Sequence, residues 1–422
     1  MEEFPIIIVG AGASGLIAAR ELLRHGKKVI VLEARDRIGG RIHTVHENSY
    51  YVEAGAEFIH GELPLTIGLL REYHIGYRKI AGVMARIENG SVKKTDEFEG
   101  WGKLIETMKR LKKDMPLSDF LSKYFDEPKY DKLRAGVRRF AEGFDVADTK
   151  TVSTFALYEE WTQDDGEPQY RIEGGYEKLI NVLSDDCKKM GCNINMSNIV
   201  KKIEWKKDLL KVFTQDEKEF TGSKIVVTVP MSILQSGAGN QAGIFFSPSI
   251  PALASVHGIG YGSVIKILLK FKEAIWEEKI KNAGFFFANE VVPTWWTQLP
   301  NQDCLLTGWL GGPKADELQQ KKDDEILDIT LRSLANIFQE DISTIQSYLI
   351  KANIFNWSKD PFALGAYSFP IIQTKESRKI LNEPIDNTIF FSGEALYDGP
   401  SGGTVEAALT SGLETAKKII RK

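Results

Sequence analysis

An apolar run, a glycine-rich turn and a helix within the first 24 residues constrain this chain more than anything that follows. Pro5–Val9 is apolar and ends on glycine, which reads as a buried parallel strand. Gly10, Gly12 and Gly15 then form GAGASG. The first glycine permits a tight turn, the second lets the backbone approach a pyrophosphate, and the third lets helix and strand pack closely. A helix from Ala13 to Arg24 follows, so Ala13, Ser14 and Gly15 bring unpaired N–H groups and a positive dipole end to phosphate oxygens. Lys28–Leu32 reads as the second strand, and Glu33 ends it 18 residues after Gly15. That is close to the roughly 20 expected of a ribose-binding acid. An acid there favours ribose hydroxyls and repels a 2′-phosphate. The opening is a dinucleotide-binding βαβ unit.

The 422 residues suit two domains rather than one. Charged residues make up 27% and the net charge is −4, which argues against nucleic acid as the main partner. The densest basic run, Lys109–Lys113, reads as one charged helix face. The three cysteines, Cys187, Cys192 and Cys304, have no CxxC spacing, which argues for a reducing compartment and against zinc. The acidic N-terminus has no leader character, and no apolar run reaches the roughly 20 residues of a membrane span. The expected location is cytoplasmic, with no membrane partner and no metal.

From Leu63 to Gln169 the chain is charged and helical in period, with helices expected over Trp101–Lys113, Leu117–Phe125 and Tyr130–Phe140. A glycine pair, Gly174 and Gly175, precedes a helix over Tyr176–Met190. Strands alternate after it, and a buried strand, Thr388–Ser392, leads to a final helix starting near Thr404. The fold expected is α/β and α+β: a discontinuous Rossmann-like nucleotide domain, over 1–80, 170–232 and 380–422, plus an inserted substrate domain, over 81–169 and 233–379, with a mixed sheet and helices.

After Glu33 the chain reads ARDRIGGRIHT. Further blocks are EAGAEFIHG at Glu53–Gly61, YGSVIKILLKF at Tyr261–Phe271, NWSKDPFALGAY at Asn356–Tyr367, TIFFSGEA at Thr388–Ala395 and GTVEAALTSG at Gly403–Gly412. In this order they resemble the flavin-containing amine oxidase family, which includes monoamine oxidases, polyamine oxidases and lysine-specific histone demethylases. The histidine-glycine ending of the second block is most similar to the polyamine oxidases. The resemblance implies FAD. It places Ala34, Arg35, Gly40 and Arg41 along the cofactor, Ala56, Glu57 and Phe58 near the flavin ring, and the Val200 backbone at the adenine. It sets Trp357 at the ring edge, Glu394 on the ribityl chain, Val405 at the flavin's carbonyl end, and Thr404 beside it among the cofactor-binding residues. Lys266 is implied to hold a water against flavin N5, and Tyr367 to form a wall of the amine channel. On the strand itself, Lys266 shares a face with Val264, Leu268 and Lys270. Without the resemblance it reads as a solvated lysine.

Two departures matter. Ala366 stands where monoamine oxidases carry the cysteine that tethers the flavin, so non-covalent FAD is expected. Thr404 stands where the family's second cage tyrosine lies, which opens the channel toward a bulkier or longer amine. Trp295 and Trp296 read equally as channel lining or as packing. His60 reads equally as a channel residue or a locally bonded turn residue. Asp164, Asp165 and Glu167 form an acidic loop, read as solvated or as an attractor of polyamines. The implied reaction takes an amine to an imine by hydride transfer to flavin N5, then to an aldehyde, with O2 reduced to H2O2. A small-molecule amine and O2 are the partners expected, on a monomer or homodimer. Alternatives are a desaturase of the same superfamily, an L-amino-acid oxidase, and a flavin-binding sensor or scaffold.

Overall fold

The computed structural model describes residues 4–47, 50–88, 90–94, 100–163 and 168–421. Backbone contacts divide the chain into two units: residues 1–78, 170–261 and 360–422, and residues 79–169 and 262–359. The acidic loop at 164–167 lies outside the described residues.

The first unit is built on a five-stranded sheet in the order Asn193–Asn195, Val29–Leu32, Ile6–Val9, Lys224–Val227 and Ile389–Phe391, with every neighbouring pair parallel. Ile6–Val9 lies at its centre and is buried along its whole length, as an apolar run without alternation requires. One face packs the helix Ala13–Arg24 with Glu177–Lys189 and Val405–Ile420, around Ile8, Leu16, Ile17, Leu183 and Leu409. The other face packs a second apolar cluster that includes Ile7, Val227, Ile203, Val256 and Phe391. The first and last helices approach closely because Gly412 carries no side chain: a Cβ there would lie 2.3 Å from the Ser14 carbonyl.

Segments 233–261 and 360–379, expected in the inserted domain, belong to the first unit. Phe245–Ser247 pairs in parallel with Val200–Lys206, and Gly260–Tyr261 pairs antiparallel with Ser368–Phe369. These pairings are non-local, which hides them from hydrophobic period alone.

The second unit has a seven-stranded mixed sheet in the order Leu349–Asn356, Val264–Phe271, Leu305–Gly311, Thr294–Trp296, Ala283–Ala288, Val83–Glu88 and Ser91–Lys94. One face of Val264–Phe271 supplies Ile265, Ile267, Leu269 and Phe271 to the core, together with Phe286, Leu310, Leu334 and Phe338. Helices Leu117–Tyr124 and Asp131–Gly143 match their periodic segments. The helix expected over Trp101–Lys113 ends at Lys109, so the basic run is not one helix face. Arg110 closes the helix, and Lys112 and Lys113 lie in the bend leading to Pro116, whose ring cannot continue a helix. Among the described residues no helix is long and apolar enough to cross a membrane.

Candidate active site

In the first unit, the turn after Ile6–Val9 is shaped by Gly10 at φ +110°, where a Cβ would press within 2.6 Å of the Thr228 hydroxyl. Gly15 packs its Cα against the Gly10 carbonyl, which a Cβ would meet at 2.0 Å. Gly12 is different. A Cβ there meets nothing closer than the Gly39 carbonyl at 3.9 Å, so its open side faces no protein atom. It heads the Ala13–Arg24 helix with no side-chain cap and no acid in the first turn. That leaves the first N–H groups and the positive dipole end available to an anion.

Glu33 is buried, and its carboxylate accepts from the backbone N–H of Ala11 at 2.8 Å and of Arg35 at 2.9 Å. A carboxylate has about four acceptor positions, so it retains capacity for ribose hydroxyls. Beside it, the Asn198 N–H donates to the Glu33 carbonyl, and the Asn198 Oδ1 atom is buried with no partner among the described residues. This donor and acceptor set, wrapped around an open glycine edge, fits a dinucleotide. Ala34 is half-buried, and Arg35 ion-pairs with Asp360 and lies over the Phe362 ring at 5.3 Å.

Gly40, at φ +60°, lies against Gly12, where its Cβ would be 3.6 Å from the Gly12 Cα. Arg37, which the sequence did not single out, holds this loop by donating to the Gly40, Ile38 and Ile42 carbonyls. Burial, and then the neighbouring Arg35 charge, pushes its guanidinium down to about 10. The next arginine, Arg41, gathers the far end of the unit. Its Nη1 donates to the Glu394 carboxylate at 2.9 Å, to the Ala366 carbonyl at 2.6 Å and to the Tyr261 hydroxyl at 3.0 Å. Burial works against the Arg41 charge, but Tyr261 and Glu394 outweigh it and hold the guanidinium above its ordinary value. Burial also pushes the Tyr261 phenol up to about 12, so it stays a neutral hydrogen-bonding group. Both Glu394 oxygens are engaged, since the Ser368 N–H and hydroxyl also donate to them. Glu394 therefore anchors Arg41 and the strand beside Tyr367.

Tyr367 is half-buried, with its ring edge 3.0 Å from where a Gly403 Cβ would stand. Thr404 caps the last helix: its hydroxyl accepts from the Ala407 N–H and donates to the Ser401 carbonyl. The threonine thus satisfies a helix end, a use that its place in the family pattern does not reveal. Val405 begins that helix and packs on the first core. Ser14, Ser392 and Ser411 form a buried hydroxyl chain at 2.9 and 3.0 Å between the first helix, the closing strand and the last helix. Ala56 donates to the Arg41 carbonyl. Glu57 ion-pairs with Arg171 at 2.9 Å, and Arg171 lies 4.7 Å from the Phe58 ring centre. Phe58 meets His60 edge to face. Val200 is buried at the point where its strand's pairing shifts register.

In the second unit, Lys266 is 1% exposed. The face it shares with Val264 and Leu268 is buried too, unlike the solvated lysine that the strand pattern suggests without the resemblance. Its ammonium lies 5.5 Å from the centre of the Trp296 ring. Trp357 is buried and donates its N–H to the Val264 carbonyl. Trp295 lies in the core of this unit. It is fully buried, stacked on Phe286 with rings 11° apart, and bonded through Nε1 to the Val292 carbonyl. Strand alternation sends it to the core side while its neighbour Trp296 takes the Lys266 side.

The fold and these residues define a flavin-containing amine oxidoreductase. The model of that family matches residues 13–80 and 89–420, and the chain belongs to it. The chain is 27% identical to mouse lysine-specific histone demethylase 1B over 98% of its length, and spans 52% of that relative. It spans about half the length of the first curated relatives it matches. It is 25% identical to polyamine oxidase 2 of Arabidopsis thaliana, covering 98% of this chain and 87% of that one. Two solved structures share the fold at 20% identity and a TM-score of 0.82. One is a putrescine oxidase bound to putrescine, with 100% of each chain covered, and the other is cyclohexylamine oxidase from Brevibacterium oxydans IH-35A, with 100% and 99% covered.

Proposed function

We propose that the chain oxidises the C–N bond of an extended amine, most readily one of polyamine type, using non-covalent FAD. When bound, the flavin supplies the chemistry: it takes a hydride equivalent from the amine α-carbon and passes the electrons to O2. The imine left behind hydrolyses to an aldehyde and a smaller amine. This chain's own residues bind and orient. Glu33 and Asn198 suit the ribose end, the Ala13–Arg24 helix terminus suits the pyrophosphate, and Arg41, held by Glu394, supplies a fixed positive charge. Tyr367 offers a ring face to a neutral amine, and Lys266 holds a proton-bearing group in a dry setting. The observation that carries the reading is Lys266, an ammonium 1% exposed in a family whose members oxidise amines.

The test is anaerobic bleaching of the flavin's visible band by polyamines, acetylated polyamines, N-methyllysine peptides, arylalkylamines and amino acids. Polyamines are expected to bleach it fastest. A panel in which no amine bleaches the band would end the proposal, and bleaching by methyllysine peptides alone would move the substrate to protein lysine. Non-covalent binding rests on Ala366, which has no thiol and whose carbonyl is taken by Arg41. Acid precipitation is therefore expected to leave a white pellet under a yellow supernatant, and a yellow pellet would refute the point.

A further inference from the structure

We infer that Trp296 is the positioning residue for Lys266, an inference that rests on the reading of Lys266 as a working group of the active site. Three adjacent antiparallel strands carry the argument: Val264–Phe271, Leu305–Gly311 and Thr294–Trp296. Their register sets Lys266 opposite Trp309 and Trp309 opposite Thr294. One step along, Leu268 lies opposite Thr307, and Thr307 opposite Trp296. Residues directly opposite share a face, as do residues two apart, so all six project from one side of the sheet. Lys266 reaches diagonally across it, and its ammonium stands 5.5 Å from the Trp296 ring centre, inside the roughly 6 Å range of a cation–π contact.

The indole is itself fixed. It packs on Trp309 at 5.8 Å and on Phe285 at 5.9 Å. Trp309 is anchored by its Nε1, which donates to the Gly143 carbonyl at 2.7 Å. A free lysine chain loses rotamer freedom when held in one place. A prefixed ring face that attracts the ammonium offsets that cost and selects one placement. The same patch has polar capacity to spare: the Thr307 hydroxyl is fully buried with no partner among the described residues. The sequence leaves Trp296 open between channel lining and packing; this geometry has it act through Lys266.

The test uses holoenzyme variants Trp296→Leu, Trp296→Phe, Lys266→Met and the Trp296→Leu/Lys266→Met double. Trp296→Leu is expected to lower kcat about tenfold with KM nearly unchanged, the loss of a desolvated cation–π contact. Trp296→Phe, which keeps a weaker ring face, should recover most of it. In the Lys266→Met background, Trp296→Leu should cost nothing further. Apart from turnover, Lys266→Met should alter the tryptophan bands in near-ultraviolet circular dichroism of the flavin-free protein, because the charge leaves the indole face. Equal losses from Trp296→Leu with and without Lys266 would overturn the inference, as would an unchanged tryptophan signal in Lys266→Met. If Trp296→Leu does not fold, Trp296→Phe and the dichroism still decide. If Lys266→Met turns over normally yet shifts the tryptophan bands, the contact stands and the reading of Lys266 falls.

Discussion

A Gly12→Val variant is expected to purify colourless while its flavin-free form melts within a few degrees of flavin-free wild type. The backbone at Gly12 is extended, with φ −79° and ψ −177°, which valine adopts without strain. The nearest protein atom to a new Cβ is 3.9 Å away. The fold therefore has no objection to the side chain. Its methyl groups would instead fill the space before the helix N–H groups, where the proposed function puts a pyrophosphate. Losing two charge-assisted hydrogen bonds, each worth about 1.5–3 kcal/mol, raises the flavin Kd by roughly 10²–10⁴-fold. Titration of FAD into the flavin-free protein, read by fluorescence quenching, checks this. A Kd within tenfold of wild type would place the phosphates elsewhere. Gly15→Ala is the contrast. Its Cβ would stand 2.0 Å from the Gly10 carbonyl and push helix from strand. It should cost about 3 kcal/mol or more in stability, lowering the melting temperature with and without flavin. Two glycines three residues apart thus separate a cofactor requirement from a packing requirement.

What the sequence made legible follows the range of the physical signal. The GAGASG turn and Glu33 span fewer than thirty residues, and local strand, turn and helix preferences specify them together. The alternation in Val264–Phe271 correctly divided its core face from the face of Lys266, because a strand's period is two. It could not tell that the second face is also buried, since that depends on what covers it. Trp295 and Trp296 read alike for the same reason: both suit a strand, and only the register against Gly308 and Thr307 sends one inward. Segments 233–261 and 360–379 fall in the first unit, and their strand pairings join stretches distant in sequence, which local pattern does not reveal. Least legible was the cluster around Arg41. Glu394 is 353 residues from it, Ala366 is 325 and Tyr261 is 220. The resemblance assigned Glu394 and Arg41 separately, and no property of either stretch announces that they are each other's partner.

That partnership carries a large consequence. Glu394→Gln should destabilise the protein by about 3 kcal/mol, because breaking a buried pair leaves one charge uncompensated. Glu394 is buried, and the Arg41 side chain keeps 26% of its surface, which moderates the effect without removing it. A fall of roughly 3–6 °C in melting temperature is the expected reading. Flavin should bind more weakly as well, since Arg41 is then free to leave the position that Glu394, the Ala366 carbonyl and Tyr261 define. Arg41→Met alone should also be costly, leaving the Glu394 carboxylate, among the described residues, with Ser368 as its remaining donor. The double variant decides between a pair and two independent residues. If the two form one unit, Arg41→Met/Glu394→Gln will be less destabilised than the sum of the single variants, by about 1–3 kcal/mol. Strict additivity in denaturant melts would show that neither residue depends on the other. In that case Glu394 acts directly on the ribityl chain rather than by holding Arg41. Coupling in stability, together with a flavin affinity lowered alike in all three variants, would instead make the Arg41–Glu394 pair the element that fixes the cofactor's far end.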